Sequence, residues 1–451
     1  MIVTSFVGIC VLLYVGHFLR SNVGLLRKLY LPSSVVAGLL GLLAIQLLGR
    51  YVSSGEAFVA DWTAGWSELP GFLINIVFAC LLLGKTLPGI KTIWRHAAPQ
   101  LAYGQIVAWG QYVVGIGLFL AVITYFWPEL PTMFAGVLPV GFEGGHGTAA
   151  GLGQVFEEFN WAAGEHYAIT SATAGILGAV IVGMALVNWA ARKGYVVHKA
   201  RIKDTAPGQD GPSAGKLTVS SDAIDAISFH LTIIGIAMAI GWGIKLGLAQ
   251  LGAAGGNETF AKIMDRFPLF PLCMIGGLII QKLADKFDRK KLIDAGLTNR
   301  LQNLALDFLV VAAIATINVK VVEKGIVPLL LLVCAGIAWN VLCVVVLARW
   351  MLPDAWFERS IAEMGQSMGV TATGLLLLRV VDPDYDTPAA DAFAYKQILH
   401  EPFMGGGLWT AAAIPFLALW GGWRVLAIAV GAVVFWIIAG WVMKTKLKRD
   451  A

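Results

Sequence analysis

Charge is scarce in this chain. Asp, Glu, Lys and Arg make up 14% of its 451 residues, where a soluble domain carries about a quarter. Hydrophobic residues make up 58%, and the mean hydropathy is +0.74. A soluble globular fold is excluded, and so is a sizeable soluble catalytic domain, because apolar runs of the roughly 18 residues needed to cross a bilayer fill most of the length. Cysteine is scarce too. Cys10, Cys80, Cys273, Cys334 and Cys343 lie scattered in apolar runs, with neither metal-ligand spacing nor a disulfide framework. His-Glu-x-x-His is absent, which argues against a membrane-embedded metal hydrolase, and no enzyme is expected. The first residues lack the basic region and small-residue cleavage site of a removable signal peptide, so the first span is expected to stay. The formal charge of +5 follows the membrane and gives no reason to expect a nucleic-acid partner.

What is present is a series of apolar runs, placing spans at about 2–19, 33–49, 70–90, 99–127 and 166–190, then 225–251, 268–283, 303–322, 326–350, 398–420 and 424–443. Lys and Arg are retained on the cytoplasmic side. Arg20, Arg27 and Lys28 follow the first span, Lys85, Lys91 and Arg95 the third, Arg192 to Lys216 the fifth, and Lys282 to Arg300 the seventh. The N-terminus is therefore expected outside. The same parity puts Arg349, Arg359, Arg379, Lys396 and the tail Lys444, Lys446, Lys448 and Arg449 inside, which requires the eleventh span.

The polar stretch 192–222, with Pro207-Gly208 and Gly211-Pro212, reads as a cytoplasmic linker between a first half, 1–191, and a second, 223–420; residues 421–451 add one further span and a basic tail. The halves match. Leu31-Pro32 with Gly38 opens the second span as Phe270-Pro271 with Gly277 opens the seventh. In the first half the run Gly141-Phe142-Glu143-Gly144-Gly145-His146-Gly147-Thr148 is too polar and glycine-rich to face lipid, and Thr148-Ala149-Ala150-Gly151-Leu152 returns in the second as Thr371-Ala372-Thr373-Gly374-Leu375. Irregular backbone at membrane depth is tolerated only against protein or a water-filled cavity. The two stretches therefore read as re-entrant hairpins, at about 133–157 and 361–379. Five spans per half is an odd number, so the second half is inverted. The expected fold is an all-α polytopic membrane protein of two inverted-topology repeats, each of five transmembrane helices with a re-entrant hairpin, plus an extra C-terminal helix. Two hairpins entering from opposite faces form a site that each compartment reaches in turn.

A sodium ion wants hard oxygen ligands, and unwound carbonyls beside threonine hydroxyls supply them. Thr148, Thr371 and Thr373 are the leading coordinators, while Gly144, Gly145, Gly147 and Gly369 let backbone approach a substrate carboxylate at the hairpin helix ends. Ionisable residues within the membrane are functional hypotheses by default. Glu143 and Asp307 could each receive a substrate ammonium or join a cation site, or else form a structural pair. His146 is a proton carrier or a neutral buttress of the hairpin tip, with the buttress favoured. His400 and Glu401 could close a cytoplasmic gate or simply sit at the interface.

Gly144-Gly145-His146-Gly147-Thr148, Gly369-Val370-Thr371-Ala372-Thr373 and the segment from Asn303-Leu304-Ala305-Leu306-Asp307-Phe308 to Lys320 resemble the sodium/glutamate symporter family over roughly 2–420. The chain departs from the family pattern at Ala372, where proline is common, at Asp307, where a small hydroxyl residue is familiar, and in the eleventh span. The resemblance implies Na⁺ as coupling ion, an amino-acid substrate, glutamate, a homodimer in the bacterial cytoplasmic membrane, and elevator-like alternating access. The alternatives are a di- or tricarboxylate symporter, for citrate or malate, and more remotely an ion channel. An all-anionic substrate calls for arginines near the hairpins, where only Arg379 stands.

Overall fold

Helices begin and end in this chain where local chemistry satisfies their free backbone groups. In a computed structural model describing residues 2–28, 31–51, 59–60, 62–85, 90–196, 224–255, 258–265, 267–288, 291–383 and 386–449, the described residues are helical with no strand. The first half contains α1 (Ile2–Asn22), α2 (Ser33–Tyr51), α3 (Leu69–Cys80), α4 (Ile90–Leu118), the short helices α5 (Val137–Phe142), α6 (Gly145–Gly151) and α7 (Gly153–Glu158), and α8 (Ala163–Lys193). The second contains α9 (Ala226–Ala254), α10 (Leu269–Phe287), α11 (Ala295–Ala315), α12 (Ile326–Leu342), α13 (Trp356–Ser367), α14 (Thr371–Val381), α15 (Ala389–His400) and α16 (Leu408–Trp420), followed by α17 (Gly422–Arg449). Asp225 caps α9 by accepting from the Ile227 amide at 2.8 Å, and Asp294 caps α11 by accepting from Leu297 at 2.9 Å. Gly194, at φ +71°, ends α8 in the left-handed region that glycine adopts without steric cost.

Among the described residues, six helices are long and apolar enough to cross a bilayer, at Val3–Asn22, Ala97–Phe126, Ala163–Lys193, Ala226–Ala254, Ile326–Met351 and Gly422–Met443. Their outer faces are apolar: Val3, Phe6, Tyr14 and Phe18 on α1 and Trp423, Phe435, Ile438 and Trp441 on α17 stand exposed, while glutamates, glutamines and a lysine are buried inside. A protein with oil outside and ionisable groups within is built for a bilayer. The chain is a multi-pass membrane protein.

The helices sort into two packed groups. In one, α1 packs on α2, α2 on α11, α11 on α3, α3 on α10, and α10 on α9. In the other, α4 is wrapped by α17, α15 and α12, and α8 holds α5, α6, α13 and α14. The groups meet where α6 touches α3 and α11. The matched glycines sit at corresponding crossings: a Cβ on Gly38 of α2 would lie 2.7 Å from the Ile314 Cβ of α11, and one on Gly277 of α10 would run into the Ala79 carbonyl of α3. A turn of π-helix interrupts each half as well, at Phe119–Ile123 and Cys343–Leu347, and nine residues after each, at Thr132 and Trp356, the glycine-rich segment begins.

Three boundaries differ from the sequence reading. The third span, expected to reach residue 90, ends as a helix at Cys80, and turns follow. The span expected at 303–322 is the helix 295–315, which Thr316 and Asn318 separate from the short helix Val319–Lys324. The span expected at 398–420 is two helices, α15 and α16, split at 401–407, where Pro402 cannot continue the helix and Gly406 turns back at φ +84°. The linker core 197–223, including Ala206–Ser213, lies outside the described residues.

Candidate functional site at the hairpin tips

The two glycine-rich segments meet end to end. Gly145, at φ +67°, breaks α5 from α6, and a Cβ on it would lie 3.6 Å from the Gly369 carbonyl and from Val370 between α13 and α14. Glu143 is the last side chain before this break and Gln366 lies one turn before Gly369, so both point into the protein at the junction. Gln366 Nε2 donates to Glu143 Oε2 at 3.0 Å.

Lys396, on α15, is the hub beneath the tips. Its side chain is 0% exposed, as is that of Glu363. The ammonium has three protons and three acceptors: Glu363 Oε1 at 2.5 Å, Gln397 Oε1 at 2.8 Å and Gln366 Oε1 at 3.1 Å. Because each glutamine presents its oxygen to the ammonium, its NH₂ must point the other way. Gln366 thereby donates to Glu143, and Gln397 Nε2 donates to Thr371 Oγ1 at 2.6 Å. One buried cation thus orients a donor toward each glycine-rich segment. The second oxygen of Glu363 accepts from Gln100 Nε2 of α4 at 2.9 Å.

A second chain of bonds reaches Glu143 from α4. Trp109 Nε1 donates to Gln105 Oε1 at 3.1 Å, which fixes the Gln105 amide so that its Nε2 donates to His400 Nδ1 at 3.2 Å. His400 Nδ1 is therefore an acceptor, the ring is neutral with its proton on Nε2, and that proton goes to Glu143 Oε2 at 3.2 Å.

Of the residues singled out in the sequence, Gly144, Gly145, Gly147, Thr148, Glu143 and His146 lie at the first tip, and Gly369, Thr371 and Thr373 at the second. Thr148 is buried with its Oγ1 unpartnered, packed against Gly406 in the break between α15 and α16. Thr373 is buried beside Gly369. His146 Nε2 lies 2.9 Å from Thr173 Oγ1, whose own proton goes to the Ile169 carbonyl, so His146 donates. Asp307 is not brought to the threonines. It lies exposed on α11 in the other helix group, bonded to Ser34 of α2, and its neighbour Leu306 is what faces Gly147. Among the described residues no three His, Cys, Asp or Glu side chains form a metal cluster, so any cation held here is held by hydroxyls, carbonyls and at most one or two carboxylates.

Between the end of α3 and the pair α14 and α15 lies a cavity of ≈ 220 Å³. Leu81, Leu82, Leu375, Phe393 and Pro402 form its apolar wall, and Lys85, Thr371, Gln397 and Glu401 supply the polar groups. The cavity separates the two helix groups and has Thr371 on its lining.

The sodium/glutamate symporter family model matches residues 1–386. The chain belongs to the sodium/glutamate symporter family. It is accordingly a Na⁺-coupled transporter, with Na⁺ as coupling ion. No individual curated protein matches it. The match to this symporter family ends before Lys396, Gln397 and His400, so the hub lies beyond it.

Sequence reasoning missed the hub. Lys396 was counted with the cytoplasmic basic residues, and Glu363, Gln366, Gln397, Gln100 and Gln105 were not singled out. Polar density kept residues 389–397 out of the tenth span, although Lys396 and His400 four residues apart share one helix face and Glu363 and Gln366 three apart share another. An ionisable residue next to an apolar span, in register with a second, was the signal available.

Proposed function

We propose that this protein carries glutamate with Na⁺ across the bacterial cytoplasmic membrane by alternating access, with the hairpin-bearing group sliding against the group built from α1–α3 and α9–α11. The observation that carries the reading is the pair of glycine-rich tips meeting beside a cavity that lies between the groups, with Thr371 common to both. The corresponding crossings at Gly38 and Gly277 and the two π turns support an inverted repeat with re-entrant hairpins. On this reading the N-terminus is outside, the C-terminus is cytoplasmic, the cavity opens to the cytoplasm, and two copies associate as a homodimer. Thr148, Thr371 and Thr373 furnish oxygens for Na⁺, and Gly144, Gly145, Gly147 and Gly369 furnish the backbone that meets substrate.

The cavity favours an amino acid over the citrate or malate alternative. Lys85 offers a cation to a carboxylate, while Glu401 on the same lining suits an ammonium and repels a third carboxylate. Purified protein in proteoliposomes, offered radiolabelled amino, di- and tricarboxylic acids with an inward Na⁺ gradient, should accumulate glutamate. Replacing Na⁺ by K⁺ or choline at constant pH and potential should abolish accumulation. Undiminished uptake without Na⁺, or uptake of citrate in place of glutamate, would overturn the assignment.

A further inference from the structure

The buried network has one charge too many. Lys396 and Glu363 are both fully buried and neutralise each other at 2.5 Å, and all three ammonium protons are used by Glu363, Gln366 and Gln397. Glu143, 3% exposed, is left with two neutral donors, Gln366 and the Nε2–H tautomer of His400, both on its Oε2, while its Oε1 has no partner. The other titratable groups facing it from its surroundings are Tyr112 on α4, Glu363 on α13 and Lys396 on α15. On α6, His146 is engaged with Thr173. The buried polar residues of α8, α12 and α16 are the uncharged Ser171, Asn340 and Thr410. None of these is a free cation. An uncompensated carboxylate at such depth costs several kcal/mol, and a group so placed neutralises instead.

We propose that Glu143 is a proton-binding site: Oε1 takes a proton from water, bringing the network from one net negative charge to zero, and releases it when the hairpin tips part. The tips supply the access. Gln366 and Glu143 belong to opposite hairpins, so separating Gly145 from Gly369 breaks the 3.0 Å bond between them and opens the carboxyl to the cavity side. Proton occupancy is thereby tied to the same movement that exposes substrate, and the symporter's cycle moves a proton as well as Na⁺.

The site rests on the transport reading for its coupling but not for its existence, and two measurements separate them. Infrared spectra of the lipid-reconstituted protein, titrated with acid and base in the absence of substrate, should show a protonated-carboxyl C=O band that Glu143→Gln removes. The wild-type titration needs no variant, and its lack of any such band would overturn the site even if Glu143→Gln failed to fold. In proteoliposomes holding a pH dye, Na⁺-driven uptake by wild type should move protons, and its apparent substrate constant should change by up to about tenfold per pH unit, the limit for one linked proton. Glu143→Gln should flatten that dependence. Proton movement and pH dependence that persist unchanged in Glu143→Gln would overturn the proposal. An inert wild type that still shows the band would instead count against the glutamate assignment alone.

Discussion

Replacing Lys396 by methionine tests whether the buried hub holds the hairpins together. Methionine fills nearly the same volume without the charge, so the perturbation is electrostatic. The Glu363 carboxylate, fully buried and paired at 2.5 Å, would be left with the neutral donor Gln100, and Gln366 and Gln397 would each lose the ammonium proton that orients them. Breaking a buried ion pair from one side costs about 3–5 kcal/mol, a large part of the roughly 5–15 kcal/mol that holds a folded protein. Removing both charges, as in Lys396→Met with Glu363→Leu, is often neutral or stabilising by about 1–4 kcal/mol. The double variant should therefore be markedly more stable than Lys396→Met alone. Denaturant titrations of the purified protein in detergent, followed by tryptophan fluorescence for wild type, both single variants and the double, give the coupling energy directly. Wild-type stability in Lys396→Met, or losses in the single variants that simply add in the double, would refute the hub. Transport should stay low in the double variant even where stability returns, because Gln366 and Gln397 are then no longer aimed at Glu143 and Thr371.

Substitutions at three positions read the tips themselves. Thr148→Val removes a buried hydroxyl that has no partner, so stability should not fall, and Thr371→Val loses one bond to Gln397; if these oxygens serve Na⁺ or substrate, each should raise the apparent constant in uptake assays about two- to tenfold, the equivalent of 0.5–1.5 kcal/mol, with serine milder than valine. Gly145→Ala meets no atom closer than 3.6 Å, so its penalty is the left-handed backbone at φ +67°, about 1–2 kcal/mol, and Gly145→Asn, which tolerates that region, should lose less in the same denaturant titration.

The glycine-rich segments were legible because their signal is covalent: glycine, threonine and interrupted hydrophobicity are visible at positions 141–153 and 369–375 whatever surrounds them. Glu143 was legible for the same reason, as a carboxylate in an apolar setting. The hub was not. Gln100, Gln105, Glu363, Gln366 and Lys396 come from three helices, with 263 positions between Gln100 and Glu363 and 33 between Glu363 and Lys396, and each alone looks like an ordinary polar residue. Lys396 was misplaced by the very rule that orients the helices, since a lysine beside an apolar run normally lies in the cytoplasmic interface. The break at 401–407, written in Pro402 and three consecutive glycines, was a second warning that α15 turns inward before the chain resumes in α16. Asp307 misled in the opposite direction, because a charge in an apolar helix says that a partner exists but not which one, and here the partner is Ser34.

The break also explains why the two tips are not chemically equivalent. On the proposed inverted repeat, α8 in the first half corresponds to α15 and α16 in the second. The first is a continuous 31-residue helix that meets its hairpin through neutral groups, with Thr173 on His146 and Ser171 against Gly141. The second is broken, and the break lets α15 bring an ammonium and an imidazole into the interior while folding Gly406 over Thr148. On that proposal duplication supplies two hairpins that can meet, but a symmetric pair would bind alike from either side. Placing a buried lysine on α15, beyond the 1–386 that match the family, gives the second glycine-rich segment an anchor in Lys396 and leaves the first with a carboxyl whose charge depends on what reaches it.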